Sequence, residues 1–555
     1  MSSFSSAGAP HGAAARHVCV IGLDMGDGEL IRHWIEQGRL PHFASLLASG
    51  TWTALESTAQ VLHTSTWPTF ATGTLPGRHG VYFPYQPKPG HQLAQLIQPD
   101  QYGEPTFWQY ADAQGRRCIV YDVPETFPEV GFQGQAIFDW GTWAWYGRPC
   151  SCPPALLKGV KSQFGRYPLG FEAKRLGAKI PEPAVMERRL IQSIAYKRDT
   201  AKWLITQQGS EGWALAVIGF CEPHPAGHYL WPLEADSVTS GNAKQFQPLL
   251  NIYEALDQAL GVLLDCMPPE TAVLVVSGDG VRPNRCGWYL LPDVLEKLGY
   301  SCPPGGAEDN GPAPSPSMIG RIKGMVPPGA RRMIADSLPW WLRDKIGAQE
   351  EAAKVDWSRS RAFTLPTDLE GCIRINLKGR EPQGIVDPGS EYDALCQEIC
   401  ADLEALTNPI NGASAVRRVW IRNNVFPGAR QEHLPDVIVA WNDETPFTSL
   451  ASPRLGQVEV ETADLRPGTH SPDGFLLASG AGIAPEQEAT GHLADVAPTI
   501  LRLLDLEPPM GLDGTPLAAL WPASSEFEPG GGGSRLINRG RSRMTSLSFG
   551  ICRMN

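Results

Sequence analysis

Five ionisable side chains stand just beyond short apolar runs. Asp24 follows "VIGL", "FCEPHPAGHYLW" (220–231) carries His224 and His228, "SGDG" carries Asp279, and "PGTHSPDG" carries His470. If the runs are neighbouring strands, these groups converge on one rim. Imidazoles mixed with carboxylates suit Zn²⁺ or Mn²⁺, because imidazole favours zinc-like ions and carboxylates neutralise their charge. Two such ions a few ångströms apart clamp a phosphoryl or sulfuryl group and activate a hydroxyl. The bland reading of a single histidine after a strand is a cap or core residue. The spacing of His224 and His228 fits one helical turn or a loop.

A second stretch, "VLHTSTWPTFATGTLPGRHGVYFPY" (61–85), crowds Thr64, Ser65, Thr66, Thr69 and Thr72 beside His63 and His79. A hydroxyl at a helix N-terminus next to a cation is a candidate nucleophile. The same side chains would equally cap a helix starting near Trp67. Arg78 and His79 in "PGRHG" read as a structural turn.

The elements that must position these residues are legible as periodicity. Near-continuous apolar runs occur at 17–26, 116–124, 213–220, 271–280, 435–441 and 473–480, with amphipathic helical segments at 186–208 and 246–267 between some of them. That alternation predicts an α/β architecture, a central, mostly parallel sheet with helices on both faces. Asp122 and Glu222 also sit at strand ends, where ligands bind in open α/β sheets. Residues 1–16 and 526–555 read as disordered segments around a single domain at 17–525, with a Pro/Gly-rich cap or lid inserted at about 300–360.

Composition narrows the partners. With 47 basic against 59 acidic residues, the net charge is −12, so no nucleic-acid polymer is expected without a local basic patch. No apolar run is long enough to span a bilayer, and the irregular spacing of the 12 cysteines points to free thiols in a reducing cytoplasm.

Taken together and in this order, "VIGLDMGDGELIRHWIEQGRLPHFASLLASGTW", "TGTLPGRHGVY", "FDWGTWAWYG", "GFCEPHPAGHYLW", "VVSGDG", "IRINLKGREPQGIV", "LPDVIVAW" and "GTHSPDGFLLASG" resemble the type I phosphodiesterase/nucleotide pyrophosphatase branch of the alkaline phosphatase superfamily. The resemblance spans most of residues 17–522. It implies an alkaline phosphatase-like fold and a metal-dependent hydrolase of small anionic phosphate esters, with two divalent ions, zinc or else manganese. Attack by a Thr or Ser hydroxyl would pass through a covalent phospho-enzyme. One ion is held by the Asp ending the first strand, the nucleophile and an Asp-His pair. The other is held by Asp-x-x-x-His and a distal His. Asp24, His228 and His470 match this pattern. His224 stands where an Asp is expected, and the Asp-His-Gly element reads Gly278-Asp279-Gly280. Counting from Trp67 or Thr72 places the nucleophile at His63, and a slip of one residue gives Thr64. Thr64 is therefore the candidate nucleophile and His63 its rival, with Asp24, His224, His228, Asp279 and His470 as candidate ligands. Arg374, Lys378 and Arg380 are available as cations for an anionic substrate. The changed positions also admit a non-catalytic scaffold that has lost part of the two-metal site.

Overall fold

The computed structural model describes residues 15–521 except 89, 98–101, 130, 142–148, 170–181, 208–211, 234, 241, 286, 305–354, 460–465 and 486. The expected cap or lid at about 300–360 lies for the most part, and both expected disordered ends almost whole, outside the described residues.

Nine strands form the central sheet: β1 (His17–Leu23), β2 (Gly50–Glu56), β3 (Cys118–Tyr121), β4 (Gln135–Phe138), β5 (Cys150–Cys152), β6 (Leu215–Phe220), β7 (Thr271–Ser277), β8 (Gly474–Gly480) and β9 (Gln487–His492). Their spatial order is β9-β2-β8-β7-β1-β6-β3-β4-β5. The run β7-β1-β6-β3-β4 is parallel throughout. β8 runs antiparallel to both its neighbours, and β5 antiparallel to β4. Apolar residues fill both faces because both are covered. Cys19, Ile21 and Leu23 point to one core, with Leu30, Phe43 and Leu256. Val18 and Val20 point to the other, with Trp67, Phe70 and Ile500. This two-sided burial explains why the sequence reads as continuous rather than alternating hydrophobicity.

One apolar run goes elsewhere. Val437–Trp441 belongs to a separate antiparallel sheet, flanked by Gly371–Ile375 and Val416–Ile421, with Ala362–Thr364 at the edge. It too is buried on both faces, so periodicity alone could not separate it from the main sheet. One face packs on helices Leu291–Lys297 and Ser390–Glu404 through Leu295, Ile399 and Ile373. The other, through Phe363, Cys372 and Ile438, packs on Leu62 and Tyr82, which bracket the hydroxyl-rich stretch. Among the described residues, no helix is long and apolar enough to cross a membrane.

The second sheet is pinned by a buried charge network. Asp436 takes a two-pronged bond from Arg380 at 2.8 and 2.6 Å, a hydroxyl from Tyr392 at 2.8 Å and the backbone N–H of Ile375 at 2.7 Å. Arg374 donates to Glu381 at 2.8 Å, and Lys378 is exposed against Asp387. The two arginines are thus tied to carboxylates inside the scaffold. Burial would raise the Asp436 pKa, but the guanidinium groups of Arg380, Arg422 and Arg374 hold it far below the usual carboxylate range. Its contribution to stability is therefore complete above the unfolded value of about 3.9 and is lost as pH falls toward the depressed folded value. Asp436→Ala is expected to lower the unfolding free energy by about 3–5 kcal/mol, because it strands buried guanidinium groups. Urea unfolding at neutral pH measures this, and the difference between the two proteins should shrink in strong acid.

Candidate active site

Because β7, β1 and β6 are adjacent and parallel, their carboxyl ends share one edge. Asp24 follows β1 directly, and its N–H donates to Phe220 O of β6 at 2.9 Å. Helix Pro223–Leu230 begins just beyond β6, which places His224 and His228 one turn apart on the same side. Past β7, Asp279 leads into a two-stranded ribbon, Gly280–Pro283 against Gly468–Ser471, with Val281 opposite His470. Two buried side chains lock these turns together. Ser277 Oγ lies 2.6 Å from Leu23 O and accepts the N–H of Gly26 at 3.0 Å. Asp27 caps helix Gly28–Glu36 at Leu30 N and reaches Val281 N at 2.9 Å.

The result is a cluster of His224, His228 and His470 whose candidate ligand atoms all lie within 4.8 Å of one another. Each ring has its Nδ1 engaged by an oxygen: His224 by Asp24 Oδ2 at 2.9 Å, His228 by Gly468 O at 2.9 Å, and His470 by Asp279 Oδ2 at 2.6 Å. A carbonyl only accepts, so His228 carries its proton on Nδ1 and presents a lone pair at Nε2. Nε2 of His224 lies 3.0 Å from Nε2 of His228. Three imidazoles oriented through Nδ1 toward a common centre form a donor set for a zinc-like ion, with the oxygens behind them as orienting partners.

Electrostatics follow from burial and these pairs. Burial pushes the Asp24 pKa up, but His224 and the Trp67 indole outweigh it and hold the carboxylate below its ordinary value. Burial, followed by the Arg466 charge, takes His228 well below the usual imidazole range. His470 is lowered by burial and then by His63. Asp279 is pushed up to about 7 by burial and by the charge of Asp24.

Asp24 and Asp279, both expected as ligands, stand behind the imidazoles. The remaining Asp24 oxygen, Oδ1, accepts Trp67 Nε1–H at 2.9 Å. Trp67 can lie there because residue 22 is glycine, where a Cβ would come within 2.6 Å of the indole. At Gly278, where the family pattern has an aspartate, a Cβ would meet Thr66 Cβ and Leu493 Cδ2, each at 2.9 Å. The changed position is filled by its neighbours.

The hydroxyls sort themselves by partner. Ser65 Oγ donates to Leu62 O at 2.6 Å, Thr69 Oγ1 lies 3.1 Å from His79 Nε2, and Thr72 Oγ1 donates to Pro68 O at 2.8 Å. None of them makes a cap bond to helix Thr66–Thr72. Thr64 alone of the five is only half-buried, and its Oγ1 sits 3.1 Å from His63 Nε2. His63 in turn contacts the His470 ring at 4.5 Å between centroids. His79 is buried with its pKa lowered to about 3 by desolvation, in keeping with a structural turn.

Two strand-end residues, Asp122 and Glu222, belong to a different buried group. Asp122 pairs with Lys197 at 2.9 Å, and Glu222 accepts the Tyr167 hydroxyl at 2.6 Å. Sequence reasoning missed four others. Asp368 lies 3.0 Å from His63 Nε2, Glu370 2.8 Å from its Nδ1, and Arg466 3.0 Å from Asp368. Glu125, in the turn after β3, is held well above the ordinary carboxyl range by burial and by the Asp24 charge. Of these, only Glu125 follows an apolar run.

The sequence matches the family model for type I phosphodiesterase/nucleotide pyrophosphatase over residues 18–473. No curated protein matches it in sequence. Similar solved structures include human ectonucleotide pyrophosphatase/phosphodiesterase 5, at 12% identity and a TM-score of 0.47, over 90% of this chain and 97% of that one. The murine protein of that name, in an inactive form with AMP, aligns at 11% identity and a TM-score of 0.46, over 89% and 97% of the respective chains.

The packing at Gly278 generates a test. Gly278→Asp, which writes an aspartate back into the sequence, is expected to destabilise the fold by about 1–3 kcal/mol through overpacking. It should add no metal-binding capacity. Thermal unfolding and metal analysis of the purified variant report both.

Proposed function

Since the chain belongs to the type I phosphodiesterase/nucleotide pyrophosphatase family, a family of phosphate-ester hydrolases, we propose that it cleaves a small phosphate diester at the three-histidine centre, with Thr64 as nucleophile. The observation that carries this reading is the common orientation of His224, His228 and His470, each tied through Nδ1 to an oxygen.

We infer that one divalent ion, zinc by preference, is held by those three imidazoles. Bound there, it would supply a Lewis acid that polarises a phosphoryl oxygen. The family's second position is a poor fit in this chain. Both oxygens of Asp24 are engaged, by His224 and by Trp67, and residue 278 has no room for a side chain.

The chain's own residues supply the rest. Thr64 Oγ attacks phosphorus as the bond to the leaving oxygen breaks, forming a threonyl phosphodiester that keeps the other ester group, while the hydroxyl proton goes to the departing alkoxide and an alcohol is released. Water then cleaves the Thr64–phosphate bond, returning the hydroxyl and a phosphate monoester. Arg466, 3.4 Å from His228 Nε2 and paired with Asp368, brings a positive charge to the rim where an anionic ester would sit. A nucleotide fits this reading, since the matching family model is that of type I phosphodiesterases and nucleotide pyrophosphatases. The closure at Gly278 favours a second reading, in which the centre binds such esters without turning them over. The reducing cytoplasm is proposed on cysteine usage alone.

Metal analysis after dialysis against zinc is expected to give one equivalent per chain. Two would overturn the single-ion reading, and none would favour the non-catalytic one. Thr64→Ala and His228→Ala should each reduce turnover of an aryl phosphodiester by about 10²-fold or more, with the fold intact by circular dichroism. Only Thr64→Ala should abolish covalent phosphoryl labelling at unchanged metal content. Labelling lost in His63→Ala but kept in Thr64→Ala would transfer the nucleophile to His63.

A further inference from the structure

Glu370 makes two bonds to one residue 307 positions earlier. Its Oε1 accepts the backbone N–H of His63 at 2.7 Å, and its Oε2 lies 2.8 Å from Nδ1 of the same ring. Both residues are buried, at 6% and 5% exposure. The other ring nitrogen, Nε2, is 3.1 Å from Thr64 Oγ1 and 3.0 Å from Asp368 Oδ1, and Arg466 holds the second Asp368 oxygen at 3.0 Å. His63 is therefore bracketed by two carboxylates, both just ahead of strand Gly371–Ile375 of the second sheet.

Inside the hydroxyl-bearing segment, the Oγ and N–H of Ser65 both bond Leu62 O, but none of these bonds reaches the Thr64 hydroxyl. Residues His63–Ser65 make a single 3-10 turn without a side-chain cap. Thr64 is the next residue in the chain and its hydroxyl touches the same ring, so fixing the backbone and imidazole of His63 fixes Thr64 Oγ1 as well. We propose that Glu370 is a positioning residue for the nucleophile, aiming Thr64 Oγ1 through His63 by hydrogen bonding. In the family pattern a second metal would fix that hydroxyl by coordination. The proposal rests on the reading of Thr64 as nucleophile. A misplacement near 1 Å is enough to cost about 10²-fold in rate, which is the scale on which such a clamp acts.

Glu370→Gln tests it, because the amide keeps the shape but offers one acceptor and one donor. Both ring nitrogens of His63 face carboxylates and so carry protons; in the variant, if the amide oxygen keeps the His63 N–H, its NH₂ faces Nδ1, which loses its acceptor and its proton while Nε2 keeps its own. A purely structural role is met by either side chain. The expected result is a fall in kcat of about 10- to 100-fold, with KM within about twofold and with melting temperature and bound zinc unchanged. The ¹⁵N shifts of His63 should report loss of the Nδ1 proton. In a Thr64→Ala background, Glu370→Gln should have no further effect, since the two act as one unit. Should Glu370→Gln fail to fold, Asp368→Asn decides, on a side chain 33% exposed, with the same loss in kcat expected. Unchanged kcat, a loss carried only by KM or by melting, or effects additive with Thr64→Ala would each overturn the proposal. Failure of the nucleophile reading is seen separately, as a Thr64→Ala single variant that turns over and labels normally.

Discussion

Each imidazole of the cluster is held by an oxygen at Nδ1, and the architecture around the site serves to keep those three oxygens still. Asp24 is fixed because β1 lies between β6 and β7 and its last turn bonds to both. Gly468 O and Asp279 are fixed because the ribbon that carries them is stitched to β1 through Asp27 and Ser277. Loss of any one oxygen frees a ring to rotate. A rotating ring changes which nitrogen bears the proton and where the lone pair points.

Much of this was legible in the residues. Continuous apolar runs ending in Asp24, Glu222 and Asp279 gave the parallel core, because a strand buried on both faces has no polar face to show. His224 and His228 landed on one helical turn, one of the two geometries their spacing allowed. What stayed hidden shares a physical reason. Asp368 and Glu370 precede a strand of another sheet and meet His63 only through packing of Cys372 and Ile438 against Leu62. No periodicity along the chain encodes that contact. Likewise Arg374 and Arg380 read as free cations until Asp436 and Glu381 appear beside them, and "PDVIVAW" could be assigned to the wrong sheet because both sheets bury their strands. The described residues leave out most of the lid segment.

The departures from the family pattern hang together. His224 stands where the family pattern has a carboxylate, and its Nδ1 pairs with Asp24. The other Asp24 oxygen accepts the indole N–H of Trp67, a landmark of the family pattern itself, and Thr66 packs over Gly278. The indole packs where a Cβ at residue 22 would stand, and the threonine where one at residue 278 would stand.

The placement of β8 has a consequence for biosynthesis. It is inserted between β7 and β2, yet it is made about two hundred residues after β7 on the count of their positions. Until that segment is made, β7 has an open edge and β2, whose neighbours in the sheet are β8 and β9, has no strand partner there, and each can template pairing with another chain. That strand arrives together with His470, which lies only four residues before its start. Sealing the sheet and completing the histidine cluster are thus a single late event, and an unfinished chain holds neither a protected edge nor a complete site.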